Sequence, residues 1–120
     1  MTKEKEIQIA CNHYLNYLSN SFFFRNFHVP NEGKKTVQYH ALMKKMGLRP
    51  GCPDIIIEYS PGKILYIELK NEKGRLSESQ KIWKIQSKAF ETPHYIVKGN
   101  IAECLDQIKT IIENNIPRRS

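Results

Sequence analysis

The sequence predicts an α/β domain with one central mixed sheet flanked by helices. Two apolar strand-like runs, residues 54–59 and 63–70, are joined by a short Ser60-Pro61-Gly62 turn, which is typical of a hairpin. Helical spacing of apolar residues marks both ends of the chain. With 120 residues, 40% of them hydrophobic and 26% charged, the chain is long enough for one domain with its own core. We therefore expect a single domain over residues 1–120, with a frayed tail at 117–120.

The first half of the chain predicts a helix, a strand and a second, shorter helix. The helix covers residues 3–19, where apolar residues recur at helical spacing. An aromatic and apolar run predicts a strand over residues 22–29, and the polar stretch 30–35 predicts a loop. The short helix covers residues 36–46 and ends at Gly47, with Leu42 and Met46 on its inner face.

The second half predicts a helix, a strand and a last helix after the hairpin. Ser77-Glu78-Ser79-Gln80 has the form of a capping box, so a helix begins there and runs to about residue 90. Its expected core side consists of Ile82, Ile85, Ala89 and Phe90. A strand follows at 94–98, and Asn100 can cap the last helix. The order of elements favours helices around one sheet.

Composition favours a polyanionic partner and disfavours a membrane protein. Nineteen Lys and Arg residues against twelve Asp and Glu residues give a net charge of +7, which suits nucleic acid, although a basic surface without a partner is also common. No apolar run approaches the roughly 18 residues of a membrane span, and the N-terminus lacks the apolar core of a signal peptide. We expect a cytoplasmic protein. Three widely spaced cysteines disfavour a disulfide scaffold or a zinc site.

Asp54, Glu68 and Lys70 form the strongest chemical signal. If Tyr59 pairs with Lys63, the hairpin register places Asp54 opposite Glu68, with Cβ atoms roughly 4.5–5.5 Å apart. Two such carboxylates repel each other unless a cation lies between them, and strand alternation places Lys70 on the same face. The pattern predicts a divalent-metal site beside an ammonium group; the alternative is an ordinary strand end with solvated charges.

A larger set of motifs resembles a known nuclease family. Pro53-Asp54, a spacer and Glu68-Leu69-Lys70 have the form of the PD-(D/E)XK nuclease signature, and further matching pieces occur in order: Asn31-Glu32-Gly33, Met46-Gly47-Leu48, Gly51-x-Pro53-Asp54 and Gly74-Arg75-Leu76-Ser77-x-x-Gln80. This ordered set resembles the VRR-NUC domain, the virus-type replication-repair nuclease module, in a stand-alone form. The resemblance implies a restriction-endonuclease-like fold and Mg²⁺- or Mn²⁺-dependent DNA cleavage.

The resemblance also implies roles for individual residues. Metal ligands would be Asp54, Glu68, Leu69 and a glutamate of the first helix, which we assign to Glu4 rather than Glu6 because Glu4 precedes Ile7-Gln8 at the family's spacing. Lys70 would be the catalytic lysine. Gln80 would be a further catalytic residue near Asp54, Glu68 and Lys70; alternatively it is the capping partner of Ser77, and the two roles are compatible. Glu32 could be a further acidic site residue or a solvated loop charge.

Basic residues near these motifs are candidate phosphate contacts, although any one of them could be an ordinary solvated side chain. The candidates are Arg75, Lys34, Lys35, Lys73, Lys81, Lys84 and Lys88. The expected function is a metal-dependent endonuclease that cuts branched DNA as a homodimer, in the manner of Holliday-junction resolvases. A flap or single-strand-end nuclease, a catalytically silent DNA-binding module and a sequence-reading restriction-type enzyme are the alternatives.

Overall fold

A computed structural model describes residues 1–29 and 36–120. In these residues the chain forms, in order, α1 (Glu4–Leu18), β1 (Phe24–His28), α2 (Val37–Lys45), β2 (Ile55–Tyr59), β3 (Lys63–Lys70), α3 (Glu78–Ala89), β4 (His94–Lys98) and α4 (Ile101–Asn115). This order confirms the predicted α/β fold class and the predicted succession of helices and strands.

The four strands form one mixed sheet in the order β1-β2-β3-β4. The first three are antiparallel, and Tyr59 pairs with Lys63 as the hairpin register predicts. β4 runs parallel to β3, because α3 carries the chain back across the sheet; parallel neighbours need such a crossover. The register also brings the start of β2 next to the end of β3.

Strand alternation gives the sheet two different faces. One face presents the buried side chains of Ile55, Ile57, Leu65, Ile67 and Leu69, and the apolar sides of α1 and α4 complete this core. On the opposite face, Tyr66, Glu68 and Lys70 alternate with them along β3. α3 lies over this second face, where the Trp83 ring meets the Tyr66 ring edge-on at 6.0 Å.

Two predicted core faces are wrong. Ile82, Ile85 and Phe90 of α3 are 54, 69 and 77% exposed, and Ala89 is exposed as well. In α2, Leu42 and Met46 are also exposed. Apolar periodicity identifies an amphipathic helix but not the surface that covers its apolar side. The buried residue of α3 is Ser87, whose hydroxyl donates to the Trp83 carbonyl at 2.8 Å.

The C-terminal tail packs against the start of the sheet, whereas the sequence predicts frayed residues at 117–120. Arg118 forms a β-bridge with Phe22. The Arg119 amide donates to the Ser21 carbonyl at 2.8 Å, and its guanidinium lies over the Phe23 ring at 4.7 Å. Cation–π contacts of this kind favour an ordered arginine.

The helices in residues 1–29 and 36–120 offer no candidate for a membrane-spanning segment, since none of them is both long and apolar enough.

Candidate active site

Asp54 immediately precedes β2 and is held from both sides. Its Oδ2 atom accepts the Leu69 amide at 2.7 Å, which ties the carboxylate to the end of β3. Its main-chain carbonyl accepts the Val29 amide at 3.1 Å and a ring N–H of His28, whose Nδ1 lies at 2.7 Å. Because β1 and β3 both hold this residue, the Asp54 carboxylate has a fixed position at the edge of the sheet.

Glu68 is buried on the same face, with only 2% of its surface exposed. The Gln80 side-chain amide donates to Oε2 at 3.0 Å. The other oxygen, Oε1, is buried and has no hydrogen-bond partner among the described residues. Such an acceptor costs about 1–3 kcal/mol. An additional positive or hydrogen-donating group at Oε1 would remove this cost.

Burial and the neighbouring carboxylate raise the pKa of Glu68 well above its usual range. Burial is the largest cause, followed by a hydrogen bond and charge repulsion with Asp54; the Lys70 ammonium acts in the opposite direction, and the Glu4 charge raises the pKa further. A carboxyl group that is buried beside another carboxyl group favours its neutral form. Glu68 therefore tends to keep its proton when no metal is bound.

Lys70 and Glu4 approach each other at Gly74. Lys70 is buried at the end of β3, on the face that carries Glu68. A Cβ atom added to Gly74 would lie 2.8 Å from Glu4 Oε2 and 3.0 Å from Lys70 Cδ. The small residue at position 74 thus allows the loop after β3 to close over both side chains, which places a lysine and a third carboxylate beside the Asp54–Glu68 pair.

Contacts between the N-terminus and the loop after β3 position Glu4. The Asn71 amide donates to Glu4 Oε2 at 3.4 Å, and the Asn71 side chain donates to the Thr2 carbonyl at 3.0 Å. Thr2 in turn donates to Glu72 through its amide at 3.2 Å and through its hydroxyl at 3.1 Å. Both candidate glutamates are exposed residues of the first turn, but only Glu4 makes a hydrogen bond to the loop after β3 among the described contacts.

Gln80 caps α3 and contacts Glu68 at the same time. Its backbone amide donates to Ser77 Oγ, and its side-chain oxygen accepts the Ser77 amide at 2.8 Å, which completes the capping box. Its side-chain nitrogen remains available for Glu68. The two alternatives that the sequence offers for Gln80 are therefore compatible.

Gly51 packs the loop that carries Asp54 against the first turn of α3. Its φ of +82° lies in the left-handed region, and a Cβ atom there would be 2.3 Å from the Ser79 carbonyl oxygen and 2.9 Å from the Gln80 nitrogen. Glycine accepts both constraints because it has no side chain. This contact sets the distance between the Asp54 loop and the helix that carries Gln80.

The donor set fits a hard divalent cation that retains several water ligands. Among the residues of known position there is no cluster of three or more His, Cys, Asp and Glu side chains arranged to hold a metal. Mg²⁺, however, commonly uses one or two carboxylates together with waters and substrate phosphates. Asp54 and Glu68 supply two carboxylates, and the unpaired Oε1 of Glu68 is a vacant acceptor. Glu4 interacts electrostatically with Glu68 but does not complete a three-residue cluster.

The predicted DNA contacts fall into two groups. Lys73, Arg75, Lys81 and Lys84 are exposed along the loop after β3 and along α3; Lys81 also pairs with Glu78 at 3.3 Å. Glu32, Lys34 and Lys35 lie outside the described residues. Sequence reasoning missed His28, Thr2, Asn71 and Glu72, whose contribution consists of hydrogen bonds between distant segments. Only the position of Asn71 directly after Glu68-Leu69-Lys70 could have suggested a site role.

Comparisons with known proteins identify the family and the fold of this chain. The family model described as the VRR-NUC domain matches residues 3–100. A solved structure described as "VRR_NUC domain protein" aligns with a TM-score of 0.67 and 22% identity over 94% of this chain and 90% of its own. Another, described as "VRR_NUC domain", aligns with a TM-score of 0.59 and 17% identity over 96% and 99%.

At these identities the solved structures establish the fold alone, and a search among curated proteins finds no match. The family model, in contrast, spans most of the sequence and includes Asp54, Glu68, Lys70 and Gln80. The chain therefore belongs to the VRR-NUC family and carries a nuclease-type domain.

Proposed function

We propose that this chain is a metal-dependent DNA endonuclease that hydrolyses phosphodiester bonds in branched DNA as a homodimer. The observation that carries the proposal is the buried Glu68, which lies beside Asp54 and has one oxygen without a partner among the described residues. A carboxylate that is buried beside a second carboxylate is costly in a folded protein unless the pair serves a function. Binding a cation that also contacts phosphate is the function that fits this pair best.

Asp54, Glu68 and the main-chain carbonyl of Leu69 would hold Mg²⁺ or Mn²⁺. When bound, such an ion offsets phosphate charge and lowers the pKa of a coordinated water. The protein's own contribution is orientation. The Leu69 amide fixes Asp54, and the Gln80 amide fixes Glu68, so that neither carboxylate must reorganise during the reaction.

Lys70 would act on the phosphate and on the attacking water. Lys70 is a buried residue on the face of Glu68, where a charge is more effective than in bulk water. The ammonium would orient a water molecule for in-line attack and stabilise charge on the phosphate oxygens. In this hydrolysis, a bond forms between the water oxygen and phosphorus, the bond from phosphorus to one sugar oxygen breaks, and that oxygen receives a proton.

An apolar surface on the site face supports the homodimer. Phe27 and Ile64 are 48 and 38% exposed, and strand alternation places them on the same face as Tyr66 and Glu68. Ile82 and Phe90 add exposed apolar area on α3. Contiguous exposed apolar area is typical of interaction sites. A two-fold dimer through this face would present two active sites to two strands of a DNA junction.

Cleavage of labelled DNA tests the proposal. We would compare four-way junction, flap, single-stranded and linear duplex DNA in Mg²⁺ and Mn²⁺, using wild type, Lys70→Ala and the control Lys63→Ala, which alters the exposed lysine at the other end of β3. We expect metal-dependent cutting of the junction, a loss of about 100-fold or more in Lys70→Ala, and wild-type activity in the control.

Other outcomes distinguish the alternatives. Preferential cutting of flaps or single-stranded ends would support a nuclease function but contradict the resolvase-like activity. Cutting that follows sequence on linear duplex would indicate a restriction-type enzyme. DNA binding without metal-dependent cutting by the folded protein would indicate a catalytically silent binding module and would overturn the proposal.

A further inference from the structure

A groove between α3 and the start of β4 extends from the active-site end of α3. Its volume is about 670 Å³, within the usual range for small-ligand sites. Its lining includes the apolar residues Leu76, Ile85 and Pro93. It also includes three lysines, Lys81, Lys84 and Lys88, and the carboxylate of Glu91. The groove therefore combines an apolar surface with an excess of positive charge.

His94 lines the same groove and has unused hydrogen-bonding capacity. Both of its ring nitrogens are buried without a hydrogen-bond partner in the described part of the chain. Burial, and then the nearby Lys84 charge, lower the pKa of His94, so that its ring is neutral near pH 7 and offers one donor and one acceptor. Unpaired polar atoms buried in the wall of a groove that is partly apolar favour a ligand with both a flat apolar surface and a polar edge.

The groove lies near the candidate active site along both α3 and the sheet. Gln80, which contacts Glu68, is followed at helical spacing by Lys84 and Lys88, so the three lie along one side of α3. His94 pairs with Tyr66 in the sheet, and Ile96 pairs with Glu68. His94 is thus two strand residues, about 7 Å, from the level of Glu68. A ligand in the groove would lie near any phosphate bound at Asp54 and Glu68.

We propose that this groove binds one unpaired nucleotide of the DNA substrate, next to the phosphodiester that is cut. The base would pack against Ile85 and Pro93 and form hydrogen bonds with the His94 ring, while the lysines contact the adjoining phosphates. A nucleobase supplies the flat faces and the polar edge, and the phosphates supply the negative charge. An acidic peptide would match the lysines but would lack the flat ring that packs against Ile85 and Pro93. The inference rests on the proposed function, because it takes DNA as the substrate of the same site.

Single abasic positions in the DNA test the inference without cleavage. Fluorescence anisotropy in EDTA would measure the affinity for a duplex with a single-stranded arm in which one abasic site is moved along the arm. An abasic site removes the base and keeps the phosphates. We expect wild type to lose about 5- to 10-fold in affinity at one position and little elsewhere.

Two variants of the groove should abolish this position dependence. His94→Ala removes the hydrogen-bonding ring. Ile85→Asp places a carboxylate in the groove at a position that is 69% exposed, so folding should not suffer. Ile9→Asp, on the exposed side of α1 and 52% exposed, is the matched control and should keep the wild-type profile. Circular dichroism would verify that each variant is folded.

A uniform affinity of wild type for all abasic positions would overturn the inference, because the groove would then contact phosphates or some other polyanion only. The same profile in wild type and in both groove variants would overturn it as well. Cleavage of the same DNA in Mg²⁺ is measured separately. Position dependence without cleavage would support the groove and count against the proposed nuclease, while cleavage without position dependence would do the reverse.

Discussion

At the residue scale, the decisive feature is a carboxyl group in a place where its charge is unfavourable. Glu68 is buried beside Asp54, and both burial and this neighbour raise its pKa. The folded state therefore binds a proton that the unfolded chain releases near pH 4.5. Since the folded state holds more protons than the unfolded state above that pH, the metal-free protein loses stability as pH rises.

Glu68→Gln should remove this pH dependence. The amide keeps the shape of the side chain and carries no charge, so without metal the variant should be more stable than wild type at pH 8, by about 4 kcal/mol, and similar to it at pH 5. Thermal unfolding in EDTA at both pH values measures this difference. The exposed Glu113→Gln serves as the control. Equal stability of Glu68→Gln and wild type at pH 8 would contradict the assigned proton.

Glu4 and Glu6 provide a matched pair at the start of α1. Glu4 contacts Asn71 and lies beside Lys70 at Gly74, while both glutamates occupy the first helical turn and favour the helix dipole equally. Glu4→Gln should weaken cleavage by about 10-fold or more, and Glu6→Gln should leave it unchanged. Steady-state kinetics at several Mg²⁺ concentrations would show this. A similar loss of cleavage in both variants would indicate that Glu4 acts only through its charge at the helix terminus.

At the element scale, the site depends on how closely the Asp54 loop and α3 approach each other. The capping box of Ser77 and Gln80 fixes the first turn of α3, and Gly51 lets the loop touch that turn. Asp54 and Gln80 thus come from separate segments but share one contact.

Gly51→Ala should disturb both segments, and Gly62→Ala is its control. Both glycines have positive φ, but a Cβ at Gly51 would meet Ser79 at 2.3 Å, whereas at Gly62 it would meet nothing within 4 Å. Gly62→Ala should cost about 1 kcal/mol of folding stability from backbone strain alone. Gly51→Ala should cost about 2 kcal/mol more and should lower activity as Gln80 shifts. Denaturant unfolding measures both; equal costs would contradict the close packing.

At the scale of the whole molecule, α3 presents apolar side chains that the domain itself does not cover. Phe90→Glu and Ile82→Glu should therefore shift a homodimer towards monomer, because each substitution introduces like charges at a two-fold interface. Neither should unfold the chain, because both positions are exposed. Light scattering across a range of concentrations gives the mass. Tyr17→Glu, on the exposed surface of α1 at 68% exposure, is the control. A wild-type monomer at working concentration would exclude the dimer.

The sequence predicts most of the fold, and the reasons are local. Periodicity, turn residues and capping boxes determine the helices and strands, and the hairpin register follows from the Ser60-Pro61-Gly62 turn. The exposed side of α3 was beyond such reasoning, because an apolar stripe looks the same whether a core or a partner covers it. The packing of Arg118 and Arg119 was also missed, since a basic tail gives no sign of the aromatic rings that receive it.

The sequence likewise predicts one part of the candidate site and misses another. Asp54, Glu68 and Lys70 could be predicted because strand alternation and register bring them together. The support from Thr2, Asn71 and Glu72 could not, since it joins residues about 70 positions apart through hydrogen bonds that no local pattern encodes. His94 was also missed, because its proposed role depends on two ring nitrogens that have no hydrogen-bond partner within the described structure.

The proton on Glu68 has a consequence for the proposed binding of a metal ion. A cation can coordinate this carboxylate only after the proton leaves, so metal uptake should release about one proton to the buffer. Apparent metal affinity would then rise about tenfold per pH unit below the pKa of Glu68. Titration calorimetry in buffers of different ionisation enthalpy would count the proton directly. A fall in pH would thus release the proposed metal ion without any change in the amount of metal.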